Sequence, residues 1–127
     1  MPDALEKRLL LPVAPDAIFA AWLSSEGHSE MTGAAATVDP DGRFTAWDGY
    51  ISGTTVSVEQ TRIVQRWRST DFPEEAPDSR LEILLEATPE GTLVTFLHTE
   101  IPDGQGPNYD QGWEDFYFTP MRVWCQG

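Results

Sequence analysis

Between Asp41 and Pro73 the chain sets down three strand-like runs with their punctuation, and an antiparallel sheet is the architecture that accommodates all three. Arg43 to Trp47 is short, with Phe44 and Ala46 on one side, and Asp48-Gly49 closes it with the positive φ angles of a tight hairpin turn. Tyr50 to Glu59 is rich in β-branched residues, and Gly53 in its middle marks a bulge or a close backbone approach. Arg62 to Ser69 then alternates, Ile63, Gln65 and Trp67 opposing Val64, Arg66 and Arg68. One apolar face and one wet face describe a sheet covered on a single side.

The flanking segments extend this pattern. Leu5 to Val13 reads as a first strand that Pro12 ends, and Pro15 with Asp16 suits the first turn of a short helix whose stripe is Ile18, Phe19, Ala21, Trp22 and Leu23. Ser24 to Glu30 is polar and reads as a break followed by a second, poorly formed helical turn; Ala34 to Val38 reads as a short strand. Asp71 to Ser79, with two prolines and four carboxylates, is expected as an exposed loop separating two halves of the sheet. Arg80 to Ala87 and Thr92 to Thr99 alternate as strands, and a Gly- and Pro-rich loop at 101–107 leads into a helix from Asn108 or Tyr109. Along it Trp113, Phe116, Tyr117, Pro120, Val123 and Trp124 recur at spacings of three and four, and Pro120 should kink the helix or free one backbone bond.

Charge narrows the class of partner. The net charge is −13, from 21 acidic residues against seven Arg and one Lys, which argues against nucleic acid and anionic membrane surfaces. A salt-rich cytoplasm would screen such self-repulsion. The lone Cys125 has no internal disulfide partner, and no apolar run approaches the roughly 20 residues of a membrane span, so a cytoplasmic location is expected. The length of 127 residues suits one domain over 1–127, as a monomer or as a homodimer through an exposed strand edge or the Trp-rich helix end.

Three segments carry a family resemblance: AWDGYISG at Ala46 to Gly53, IVQRWRS at Ile63 to Ser69 and GWEDFY at Gly112 to Tyr117. Together, and over nearly the whole chain, they resemble the homologues of the heat-shock protein 90 ATPase activator, C-terminal domain, within the START-like, or helix-grip (SRPBCC), superfamily. The resemblance implies an α+β fold in which a curved antiparallel sheet of about six or seven strands grips a long C-terminal helix. Two short helices would lie between the first two strands, and a cavity often lies between sheet and helix. It also puts Val94, Phe96 and His98 on the face toward the helix.

The residues that bear chemistry are few. His28, two positions after Glu26, and His98, two before Glu100, are the weak candidates for a proton-transferring base, each with a plain alternative as a polar-loop or satisfied core side chain. Two histidines and one distant cysteine make no zinc constellation, no phosphate loop or nucleophile elbow is present, and no cofactor is called for. Trp47, Gln65, Trp67, Phe96, His98, Trp113 and Tyr117 would face the space between sheet and helix. They either wall an apolar ligand pocket with Gln65, His98 and Tyr117 as its polar groups, or pack as a solid core. The volume left between the layers discriminates, since ligand sites occupy a few hundred Å³.

Three functions are therefore expected in order: binding of a small hydrophobic molecule between sheet and helix, a co-chaperone role with heat-shock protein 90, and a cyclase or hydrolase activity using His28 or His98. The eukaryotic activators join this domain to a separate N-terminal domain that does not occur in these 127 residues.

Overall fold

Seven antiparallel strands form one sheet in the order β1-β7-β6-β5-β4-β3-β2 in the computed structural model, which describes residues 2–126. The strands are β1 (Asp3–Leu11), β2 (Thr37–Val38), β3 (Arg43–Ala46), β4 (Ile51–Glu59), β5 (Arg62–Ser69), β6 (Ser79–Thr88) and β7 (Gly91–Ile101). Two short helices, α1 (Pro15–Trp22) and α2 (Ser25–Thr32), separate β1 from β2. The C-terminal helix, 106–126, lies in the curve of the sheet, so the α+β helix-grip arrangement implied by the resemblance is the one observed.

Alternation dictates which residues meet the helix. Ile63, Gln65, Trp67 and Ser69 on β5, Leu81, Ile83 and Leu85 on β6, and Thr92, Val94, Phe96 and His98 on β7 are all buried. The opposite face carries ion pairs, among them Arg62 to Glu82 at 2.5 Å and Arg80 to Glu82 at 3.0 Å. Val64, expected on the wet face, is also buried. Two contacts from β1 dock the helix: Asp3 accepts the Gly106 N–H at 2.8 Å, and Lys7 pairs with Asp110 at 2.6 Å.

Several local expectations are corrected. Asp48-Gly49 is not a two-residue turn: Ala46 pairs with Ile51, and a 3₁₀ turn over Trp47–Gly49 occupies the wider loop, with Trp47 at φ 52 and Asp48 at φ 58. The β4 bulge falls at Val56 instead of Gly53. Gly53 serves the close approach, because a Cβ there would collide with the Arg66 carbonyl oxygen and come within 2.8 Å of the Phe44 ring. The polar run after α1 is a full helix: Ser24 accepts the Gly27 N–H at 2.9 Å, Gly33 ends it in the left-handed region at φ 82, and His28, Met31 and Thr32 form its buried face. Caps and a three-residue face suffice where composition alone reads as loop.

The 71–78 loop divides nothing, since β5 and β6 pair directly. It is also anchored: Phe72 is buried beneath it, and Arg68 bonds Asp78 at 2.7 Å and the carbonyls of Pro73 and Ala76. The helix begins at Gly106, two or three residues before the expected start at Asn108 or Tyr109. Its irregularity is a π-helical turn over Glu114–Phe118, just before Pro120, whose missing N–H leaves the Phe116 carbonyl without its α-helical donor. That turn resets the face. Tyr109, Trp113, Tyr117, Phe118 and Met121 are buried, whereas Phe116 and Val123, assigned inward by spacing, are exposed.

Candidate functional site

Aromatic side chains from both layers meet in edge-to-face and tilted contacts. Phe96 and Trp113 have ring centroids 4.8 Å apart, Trp113 and Tyr117 5.0 Å, Trp67 and Tyr109 5.1 Å, and Trp22 and Tyr117 5.2 Å. These rings pack much of the space between sheet and helix among the described residues. A space of about 50 Å³ lies where the loop before β4 faces the helix. Its walls are Tyr50, Trp67, Tyr109, Trp113, Phe116 and Tyr117, completed by Ile51, Asn108 and Gly112. Tyr50 and Phe116 also border a second, open space of about 300 Å³ whose remaining wall is Trp47. Together the two spaces make a cleft with an aromatic rim and a narrow inner end.

Of the side chains expected to hold a ligand, Trp67, Trp113 and Tyr117 line the inner space and Trp47 lines the groove. Trp47 itself does not enter the interior; it is half-buried on the 3₁₀ turn against Phe116, ring centroids 5.0 Å apart. Gln65, Phe96 and His98 are fully packed beneath these walls. Sequence reading missed Tyr50 and Tyr109. Tyr50 directly follows the Asp48-Gly49 punctuation, and Tyr109 stands four residues before Trp113 on the same helical face, which was the available signal.

Both histidines are consumed by internal hydrogen bonds. The Trp113 indole N–H donates to His98 Nδ1 at 3.1 Å, so Nε2 carries the proton and donates to Ser79 Oγ at 2.8 Å, which donates in turn to the Trp67 carbonyl at 2.7 Å. His28 Nδ1 lies 3.0 Å from the Trp22 carbonyl and must donate to it, which leaves Nε2 to accept the Tyr117 hydroxyl at 2.8 Å. Glu26, the sequence partner of His28, is exposed and takes no part. Burial lowers the pKa of both imidazoles, His98 to about 3, and raises that of the Tyr117 phenol. The network extends through Trp22 Nε1 to Gln65 Oε1 at 3.2 Å and Gln65 Nε2 to Thr55 Oγ1 at 3.1 Å.

The cleft has a different electrostatic character. Its rim carries Tyr50, which donates to Asp71 at 2.6 Å and whose pKa burial pushes up to about 12. The indole N–H groups of Trp67 and Trp47 are buried and have no hydrogen-bond partner. Leaving such a donor unmatched costs about 1–3 kcal/mol. Among the described residues no group of three or more His, Cys, Asp or Glu side chains stands close enough to hold a metal ion, and burial raises the pKa of the half-buried Cys125 thiol. No helix among them is long and apolar enough to cross a membrane.

Similar architectures occur among solved structures. An HSP90 activator from Plasmodium falciparum superposes with a TM-score of 0.81 at 21% identity, over 97% of this chain and 94% of that one. An AHSA1-like protein from Aeromonas hydrophila does so with 0.73 at 16%, over 98% and 92%. DynU16, from the dynemicin biosynthetic locus, gives 0.70 at 19%, over 98% of this chain and 47% of its own. At these identities the likeness speaks for the fold. No curated protein matches the chain in sequence. The family model described as activator of Hsp90 ATPase homolog 1-like protein, however, matches residues 12–123, nearly the whole run from the end of β1 to the last turn of the helix. A sheet closed on a C-terminal helix, the AWDGYISG, IVQRWRS and GWEDFY segments on its loop, central strand and helix, and that match agree: the chain belongs to the activator of Hsp90 ATPase homolog 1-like family.

Proposed function

We propose that the protein binds a small hydrophobic molecule in the cleft between the loop before β4 and the C-terminal helix, with Trp47, Trp67, Trp113 and Tyr117 among its contacts. The observation that carries this reading is the junction of the two spaces. An inner end of about 50 Å³ is too small for a drug-sized ligand, but it shares Tyr50 and Phe116 with an open groove of about 300 Å³ whose third wall is Trp47. A bound molecule would lay its body against the rim rings and insert one small group. Gln65, Phe96 and His98 support the walls from beneath. A thermal-shift and native mass-spectrometry screen across lipids and aromatic metabolites tests the proposal. A saturable rise in melting temperature that Phe116→Ala moves to higher ligand concentration is expected; silence across the panel overturns it.

The likeness to the Plasmodium HSP90 activator supports a second reading, a co-chaperone contact with heat-shock protein 90. Measuring the chaperone's ATPase rate with and without this protein tests it, and an unchanged rate at saturating concentration removes it. Catalysis by His28 or His98 finds less support, because all four ring nitrogens are held by protein partners.

A further inference from the structure

We propose that the ligand of this cleft is an uncharged molecule bearing a carbonyl-type acceptor, which takes its hydrogen bond from the Trp67 indole N–H. The inference rests on the reading of the cleft as a ligand site and adds the chemistry that the site selects.

Donors along the inner wall decide it. Tyr50 donates to Asp71 at 2.6 Å, Tyr109 to Gln105 Oε1 at 2.8 Å, Trp113 to His98 at 3.1 Å, and Tyr117 to His28 at 2.8 Å. Asn108 is exposed to solvent. Trp67, only 2% exposed, is the buried wall residue whose donor is unmatched. A buried indole N–H ordinarily finds an acceptor, and the neighbouring rings of Tyr109, Trp113 and His98 leave it none in the protein. An acceptor entering the inner space supplies one.

Charge excludes the anionic version of that acceptor. No Lys, Arg or His lines the inner space, Asp71 stands at the rim, and the chain carries −13 overall. A carboxylate placed there would lose its hydration with no counter-charge to replace it. A ketone, quinone or amide carbonyl loses far less. Size agrees: about 50 Å³ admits an acyl group, and the groove beside Trp47, Tyr50 and Phe116 takes a flat aromatic body.

The test compares three probes of one shape, 2-acetylnaphthalene, 2-isopropenylnaphthalene and 2-naphthoate, against the ¹⁵N-labelled full chain. The five indole N–H resonances are followed, and that of Trp67 is assigned in the unmodified protein by its nuclear Overhauser contacts to the neighbouring Tyr109 and His98 rings, with its loss in Trp67→Phe as a check. The ketone is expected to bind about tenfold more tightly than the hydrocarbon, to shift the Trp67 indole proton downfield, and to bind more tightly than the carboxylate. The downfield shift is read in the unmodified protein, so the inference does not depend on how the variant folds. Equal binding of ketone and hydrocarbon with the Trp67 resonance unmoved overturns the acceptor assignment and leaves the cleft as an apolar site. Tighter binding of 2-naphthoate overturns the requirement for a neutral ligand. No shift at any cleft residue with any probe removes the ligand site and this inference together.

Discussion

Two regions of the same helix–sheet interface treat their polar groups in opposite ways. Around His28, where α1 and α2 pack on the helix, every nitrogen and hydroxyl has a partner: Trp22 with Gln65, Gln65 with Thr55, and His28 with both Trp22 and Tyr117. In the cleft beside the loop before β4, two indole donors go unmatched and about 50 Å³ is left unfilled. Both regions draw on aromatic rings, Trp22 and Tyr117 in one and Trp47, Trp67 and Trp113 in the other, so aromatic content alone does not separate them. What separates them is pairing, and a donor left unpaired near an opening is a place for something else to bind.

The contrast breaks most severely on the closed side. Replacing His28 by Ala removes a ring packed 4.7 Å from Trp22 and strands the Tyr117 hydroxyl and the Trp22 carbonyl. A loss of about 3 kcal/mol in denaturant-determined stability at neutral pH is expected. A loss well under about 1 kcal/mol would mean that the network holds nothing in place.

Acid should act on the same side with the next largest effect. Burial holds His98 at about 3 in the folded protein, whereas the unfolded chain titrates near 6.5. The unfolded chain therefore binds more protons between those values, so this contribution to stability is complete above about pH 6.5 and is lost as the pH falls toward 3. Going from pH 7.5 to 5 should cost about 2 kcal/mol through His98 alone, and His28, also lowered by burial, acts in the same direction. His98→Gln retains an acceptor for Trp113 and a donor for Ser79 while removing the titration. Its unfolding free energy should fall less steeply over that range; an unchanged slope would assign the acid sensitivity elsewhere.

A matched pair of substitutions sharpens the comparison further. Trp113→Phe and Trp67→Phe remove similar ring area, but the first also deprives His98 Nδ1 of its donor, whereas the second deletes an N–H that bonds to nothing. Trp113→Phe should therefore be the more destabilising by about 1–2 kcal/mol in urea denaturation. Equal losses would indicate that Trp67 finds a partner after all.

These differences also mark what a sequence can disclose. The alternation of β5, β6 and β7 names the buried face in advance, because a period of two leaves each residue one side to occupy. The helix face was legible only up to the π-helical turn. Beyond Glu114 the extra residue shifts the register, so Phe116 and Val123 are exposed, Phe116 at the cleft rim, although their spacing assigned them to the core. The cleft was the least legible part. Trp47, Tyr50 and Phe116 meet there through one irregular loop and one irregular helical turn, and neither irregularity has a periodic signal. Pairing was invisible as well: nothing in their sequence neighbourhoods distinguishes Trp113, whose N–H is used, from Trp67, whose N–H is not.

Phe116 gives the smallest expected effect on stability and the most selective one. It is 48% exposed and borders both the inner space and the groove, with its ring against Trp47. Phe116→Ala should change unfolding free energy by less than about 1 kcal/mol, since little buried area is lost. Affinity for 2-acetylnaphthalene, measured by titration of the indole resonances, should nonetheless fall about fivefold, because the ligand's aromatic body loses a ring to pack on. Unaltered affinity would confine binding to the inner space. A fall in stability as large as that of His28→Ala would mean that the cleft wall bears on the fold as heavily as the histidine network does, and the distinction between the two regions would not hold.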